Sequence, residues 1–230
     1  MKSSLREYPN NNVPHQLALK EPGPVITLSR SYGCDEQPLV DRLLDYLNHQ
    51  STKGGKSHHW SYVSHLIMEK TARRLHLEAY DVENRVMEHG LGDDWKADQS
   101  VRHTAADLKM IETIKELMVK SANRGNVIFV GRGGKSVLHH IPNSLHLKLT
   151  APLPYRIDQV TKNMHMRSSD AEEMILSIDK QRILWTEHLI DGPFDEDDFD
   201  LTLNAASLST KEMVAVVVEI LHARKLIGMN

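Results

Sequence analysis

The sequence predicts a three-layer α/β/α protein built on a mainly parallel five-stranded sheet. Short apolar runs with the length of strands, such as Val25-Ile26-Thr27-Leu28, alternate along the chain with stretches whose apolar residues recur at helical spacing. One of these runs, Val127-Ile128-Phe129-Val130, is apolar without interruption, as a strand covered on both faces requires. Strands separated by helices favour parallel pairing, because each crossover helix packs back onto the sheet.

The elements follow in order. Residues 1–23 are polar, carry Pro9, Pro14 and Pro22, and read as a flexible arm that buries too little apolar area to offset its ordering entropy. A first strand at Pro24 to Leu28 leads through a polar, glycine-containing loop to a helix marked by Leu39, Val40, Leu43, Leu44 and Leu47. His49 to His59 reads as a polar connection, Trp60 to Val63 as a second strand, and Leu66–Leu75 and Val82–His89 as helical stretches, with Gly90 to Asp98 a loop. Val101, Ala105, Leu108, Ile111, Lys115 and Met118 trace a long helix that Gly125 can terminate. The uninterrupted run then enters Gly131-Arg132-Gly133-Gly134. Leu145, Leu147 and Leu149 alternate into a fourth strand, and a helix starts near Pro154, where a missing N–H is tolerated. Ser169 to Glu172 reads as a capping box opening a helix with Ala171, Ile175, Ile178, Trp185 and Leu189 on one stripe. Phe199, Leu201 and Leu203 alternate into a fifth strand, and Ser209 to Glu212 is a second capping box before a closing helix.

Composition excludes several classes. Hydrophobic residues at 40% and charged residues at 26% are ordinary for a globular protein, and no apolar run approaches the roughly 18 residues of a membrane span. A net charge of -3 with mixed signs leaves no basic stripe for a nucleic-acid backbone. The single cysteine, Cys34, rules out an internal disulfide, and the first residues lack the basic-then-apolar layout of a secretory leader, so the cytoplasm is the expected compartment. No metal site is predicted: His58-His59 and His139-His140 are adjacent pairs whose side chains diverge, unlike ligands spaced i, i+4.

Ligands of an open parallel sheet bind beyond the carboxyl ends of its strands, so the loops after the first and third strands hold the chemistry. The first reads Ser29-Arg30-Ser31-Tyr32-Gly33-Cys34-Asp35-Glu36-Gln37-Pro38. Phosphate binding needs backbone N–H groups converging at such a turn. Gly54-Gly55-Lys56-Ser57 mimics the tail of a Walker sequence, but Gln50 stands at the required first glycine and no strand precedes it. Gly133-Gly134-Lys135-Ser136 follows a strand, yet Phe129 stands at its first glycine position. That second loop carries two readings: an anion-holding corner, or a glycine turn with Lys135 in solvent. Arg182 falls on the apolar stripe of the late helix, which is costly unless the guanidinium meets an anion; the alternative is a head that snorkels or pairs with Asp179. A reactive-thiol role for Cys34 lacks an assignable base, and Asp195 to Asp198 reads as a solvated acidic loop.

The strand followed by Ser-Arg-x-Tyr-Gly, the Phe129-Val130-Gly131-Arg132-Gly133 corner, Ala151-Pro152-Leu153 with Tyr155-Arg156, Asp179-Lys180-x-Arg182 and Asp200-Leu201 through Asn204 together resemble the cytidylate kinase-like family. The resemblance implies a P-loop kinase-like fold over 24–230, with a small helical acceptor region at about 60–124 and a lid at about 165–195. It implies phosphoryl transfer from ATP, with Mg²⁺, to a nucleoside monophosphate such as CMP. By the same resemblance Ser29, Arg30, Ser31, Tyr32, Gly33, Cys34 and Asp35 would bind donor phosphates, and Gly131, Arg132 and Gly133 would hold the acceptor. Arg182, Lys180 and Asp179 would act on the transferred group. The departures matter as much. Asp35 and Glu36 stand where the loop ordinarily carries glycine and a cation, and Gln37-Pro38 stands at the usual hydroxyl, so two carboxylates repel a triphosphate and one usual Mg²⁺ ligand is lost. The same features fit a nucleotide-binding or scaffolding protein that keeps the kinase fold without turnover.

Overall fold

The computed structural model describes residues 23–53, 59–64, 66–78, 82, 105–190, 192–195 and 198–228. Residues 1–22 of the predicted 1–23 arm, the Gly54–Ser57 decoy, and the Val82–His89 helix apart from Val82 lie outside the described residues, as do Gly90 to Asp98 and Val101. Five strands, β1 (Val25–Arg30), β2 (Ser61–Val63), β3 (Val127–Val130), β4 (Ser144–Thr150) and β5 (Leu201–Asn204), form one sheet in the order β2-β3-β1-β4-β5. Every pairing is parallel.

The described helices are α1 (Gln37–Lys53), α2 (Leu66–Leu75), α3 (Ala105–Ala122), α4 (Gly134–Leu138), α5 (Leu153–Met164), α6 (Ser168–Ile190) and α7 (Thr210–Ala223). Strand alternation assigns them to faces. Ile26, Leu28, Ile128, Val130, Leu145, Leu147 and Leu149 point to one side, against Leu39, Leu43 and Leu47 of α1 and Met213, Val217 and Leu221 of α7. Val25, Val127 and Phe129 point to the other, against Ile67 and Met68 of α2, Ile114 and Met118 of α3, and Trp185 and Leu189 of α6. Leu147 is fully buried at the centre of the first set, and truncation to alanine there costs about 2–5 kcal/mol.

Three local expectations are corrected. α1 runs through His49 to Lys53 instead of ending near Leu47, because polar residues do not by themselves interrupt helical backbone hydrogen bonding. α6 begins at Ser168, so Ser169 is already inside its first turn; the Ser169 hydroxyl donates to Asp170, and Arg167 also pairs with Asp170. Phe199 precedes β5 and points away from the Leu201 and Leu203 pattern. The second capping box is present: the Ser209 backbone N–H donates to Glu212 Oε2 at 2.8 Å, and Glu212 N–H donates to Ser209 Oγ at 3.3 Å.

The chain leaves β1 toward β2 on one side, and leaves β3 toward β4 on the other, so β1 lies at the point where the connections diverge. Loops diverging at such a point leave a crevice beyond the strand ends.

Candidate functional site

A cleft of about 490 Å³ opens at this point. Its floor is the end of β1 and β4 and the corner after β3, and its wall is α6. Ser29, Lys148 and Thr150 reach it for a simple reason. They sit at alternate positions to the buried leucines of β1 and β4 and so share the face on which α6 lies. Arg30, Arg132, Lys148, Arg156 and Arg182 all line the cleft, and among the described lining residues Asp179 alone carries a carboxylate.

Two corners frame it. After β3, Gly131, Arg132 and Gly133 take consecutive left-handed conformations, with φ of 68°, 58° and 71°. An arginine adopts that conformation at a cost of about 1–2 kcal/mol, which the surrounding packing must hold. A side chain at Gly131 would fall onto the Arg30 guanidinium, so this glycine lets Arg30 cross the corner. Arg30 Nε pairs with Glu36 at 2.7 Å, and Arg182 Nη1 donates to the Arg30 carbonyl at 2.8 Å. The Arg182 guanidinium also lies 5.5 Å from the centre of the Tyr32 ring. Burial, and next the neighbouring Arg30, lowers the Arg182 pKa to about 10, which leaves it a cation at neutral pH.

The corner after β1 is arranged differently. Tyr32 N–H donates to Asp179 Oδ1 at 2.7 Å, and Arg156 Nη1 bridges Asp179 Oδ2 at 2.5 Å and the Tyr32 carbonyl at 3.2 Å. Arg156 Nε is fixed by the Ala151 carbonyl at 3.1 Å. Cys34 N–H donates back to the Ser31 carbonyl at 3.2 Å, and Asp35 Oδ1 accepts from Gln37 N–H at 3.1 Å, capping α1. Gly33, at φ 88°, lies so close to α5 that a Cβ would stand 3.0 Å from the Arg156 carbonyl oxygen.

The structure therefore gathers Ser29, Arg30, Ser31, Tyr32, Gly131, Arg132, Gly133, Asp179 and Arg182 around one cleft. Gly33, Cys34, Asp35 and Lys180 do not line it. Gly33 packs on α5, Cys34 is buried, and Asp35 and Lys180 are exposed. Burial pushes the Cys34 thiol up to about 11, which removes the thiolate a reactive cysteine needs. Lys135 is not in solvent: it is buried, ion-paired with Asp198, and 5.8 Å from the centre of the Phe199 ring. Sequence reasoning missed Lys148, Phe194 and Phe199 as cleft residues, and quoted Arg156 only as part of a motif. The alternation of Leu145, Leu147 and Leu149 already implied that Lys148 faces α6.

The family model for the cytidylate kinase-like family matches residues 25–207, and the chain belongs to that family. A protein from Corynebacterium glutamicum called uronate isomerase is 29% identical over 137 residues, 59% of this chain and 26% of that protein, so the match spans about a quarter of the relative's length. Among solved structures, an uncharacterized protein from Eubacterium ventriosum superposes with a TM-score of 0.59 at 13% identity, covering 87% of this chain and 99% of that one. A shikimate kinase from Bacteroides thetaiotaomicron gives 0.48 at 12% identity, covering 86% and 98%.

ATP and Mg²⁺, which the family implies, do not fit the described corner after β1. The Tyr32 and Cys34 N–H groups are taken by the protein's own acceptors, and the position of the usual metal-binding hydroxyl holds Gln37 and Pro38. Among the described residues, no group of three His, Cys, Asp or Glu side chains could hold a metal ion. No helix among them is long and apolar enough to cross a membrane.

Proposed function

We propose that this member of the family binds a nucleoside monophosphate, with CMP as the family's implied ligand, and does so without turning over ATP in the conformation described. The carrying observation is the convergence of Arg30, Arg132 and Arg182 on one cleft. Guanidinium groups in a partly dry cleft suit a phosphate dianion, because each offers paired N–H donors to two oxygens. Arg132 would hold the phosphate from the corner after β3, with Arg182 covering it from α6. Tyr32, Trp185, Phe194 and Phe199 give the same cleft aromatic surface for a planar base.

The other implied activity is phosphoryl transfer from ATP, with Arg182, Lys180 and Asp179 acting on the transferred group. It is less well supported, since Lys180 is exposed outside the cleft and Asp179 is already paired. The sugar-acid chemistry in the name of the Corynebacterium relative carries no weight for substrate choice here, because the match spans so little of that protein.

Thermal unfolding with CMP, UMP, dCMP, shikimate or ATP tests the proposal. A ligand at about 100 times its Kd stabilises by roughly 2.7 kcal/mol, which raises Tm by about 5–10 °C for a chain of this size. CMP is expected to give that shift, and incubation with ATP and Mg²⁺ is expected to yield no ADP. ADP production with CMP present contradicts the no-turnover reading, and the absence of a shift with every nucleotide contradicts nucleotide binding altogether.

A further inference from the structure

The buried polar side chains that α6 turns to the cleft are not equally satisfied. Gln181 Nε2 donates to Ser177 Oγ at 3.1 Å, and Thr186 Oγ1 donates to the Arg182 carbonyl at 2.8 Å. Trp185 lines the same cleft and is only 5% exposed, and its indole nitrogen is buried without an acceptor. Two other buried side-chain atoms among the described residues lack a partner, Thr161 Oγ1 on α5 and His222 Nδ1 on α7, and neither residue lines the cleft. His222 can leave Nδ1 as a bare lone pair, whereas an indole N–H is a donor only and has no such alternative. A buried donor without an acceptor is destabilising, so folded proteins seldom keep one without a use for it.

The position of Trp185 says what would satisfy it. It follows Arg182 by three residues, on the same face of the helix and about 4.5 Å further along its axis. That direction leads to Phe194, whose N–H donates to Glu187 Oε1 at 3.4 Å and whose ring lines the cleft. With a phosphate at Arg132 and Arg182, the Trp185 end receives the nucleoside. We infer that Trp185 is a specificity-determining residue whose indole N–H donates to a neutral oxygen or nitrogen of the nucleoside part of the ligand. The nitrogen is covered in the described conformation, so the indole turns about its side-chain bonds as the ligand enters. The donor gives up its water on folding, so the bond gained on binding is not offset by further dehydration of the nitrogen. Arginine serves any phosphate alike, whereas this donor separates a nucleotide from a bare phosphate. The inference rests on the proposed nucleotide binding and adds a directional polar contact to its aromatic surface.

Trp185→Phe keeps an aromatic ring and removes the N–H. Its effect is read by calorimetric titration of the full chain with CMP, ribose 5-phosphate and inorganic phosphate, alongside the indole ¹H–¹⁵N signals of the unmodified chain. The chain has three tryptophans, and the signal missing from the variant is that of Trp185. CMP affinity is expected to fall about tenfold in the variant, with phosphate affinity changed by less than about twofold. The Trp185 indole signal is expected to move downfield at saturating CMP. The same loss and movement with ribose 5-phosphate assign the acceptor to the sugar, and their restriction to CMP assigns it to the base. A stationary indole signal at saturating CMP overturns the inference whatever the variant's affinity, and so does unchanged CMP affinity in the variant. An equal loss for inorganic phosphate also overturns it, by reducing Trp185 to a support for Arg182. Each of these results leaves CMP binding standing, whereas failure of CMP to bind the unmodified chain removes the proposed function and this inference together. If the variant does not fold, the indole signals assigned in the unmodified chain decide alone, movement supporting the inference and immobility overturning it.

Discussion

After β1 the chain turns through Tyr32 and Gly33, and after β3 it turns through Gly131, Arg132 and Gly133. Both turns follow a buried parallel strand, both use left-handed glycine, and both open toward α6. They differ in what satisfies their polar groups. The first is closed by the protein's own Asp179 and Arg156, and its glycine is pressed against α5. The second presents an arginine to the cleft from a backbone conformation that arginine seldom adopts. A glycine turn after a strand is therefore a place where an anion site can be built, and the side chains arriving from elsewhere decide whether it is filled internally.

The largest expected effect acts on the sheet beneath both corners. His146 is buried between Thr27 and Ser144, accepting or donating at 2.8 and 3.0 Å, and burial lowers its pKa to about 4. The unfolded chain binds a proton near pH 6.5 while the folded one does not, so stability present above pH 6.5 is lost as pH falls toward 4. The loss is about 3 kcal/mol in all. Acid titration of the unfolding free energy should show it, and a His146→Gln variant with an equally steep decline contradicts the assignment. Because one sheet carries both corners, they should loosen together.

Arg132→Ala sharpens the comparison at the open corner. Losing a charge-assisted contact costs about 1.5–3 kcal/mol, so CMP affinity should drop about 10- to 100-fold in calorimetry with little change in Tm. Gly33→Ala does the reverse. A methyl group at φ 88° meeting the backbone of Arg156 should cost about 2 kcal/mol of stability, read from denaturant unfolding, and leave CMP affinity within about twofold. Gly131→Ala is milder in stability, about 1 kcal/mol, because the obstructing group is the mobile end of Arg30. Its signature is loss of CMP affinity as Arg30 is pushed off the corner.

Much of this was readable in the residues. The uninterrupted apolar run of β3 and the leucine alternation of β4 specify strands covered on both faces, and the Ser209 to Glu212 box marks the start of α7. Arg182 on an apolar stripe pointed to a cleft, which is where the structure has it. What the local pattern could not show was long-range pairing. Nothing near Tyr32 in the sequence announces that Asp179, 147 residues later, accepts from its backbone N–H. Of the two readings of the Gly133–Ser136 loop, the one with Lys135 in solvent fails because its partner Asp198 arrives from a distant loop. Phe199 was assigned to a strand because its spacing continues that of Leu201 and Leu203, although β5 begins only at Leu201, preceded by one bond from the Asp200 N–H to the His146 carbonyl.

The most direct measurement is the set of backbone amide shifts of the ¹⁵N-labelled chain during titration with CMP. The account predicts that Gly131, Arg132, Gly133 and Thr150 move with a common saturation curve while Gly33, Cys34 and Asp35 stay in place. Movement of the residues after β1 with the Gly131–Gly133 corner unchanged would contradict it.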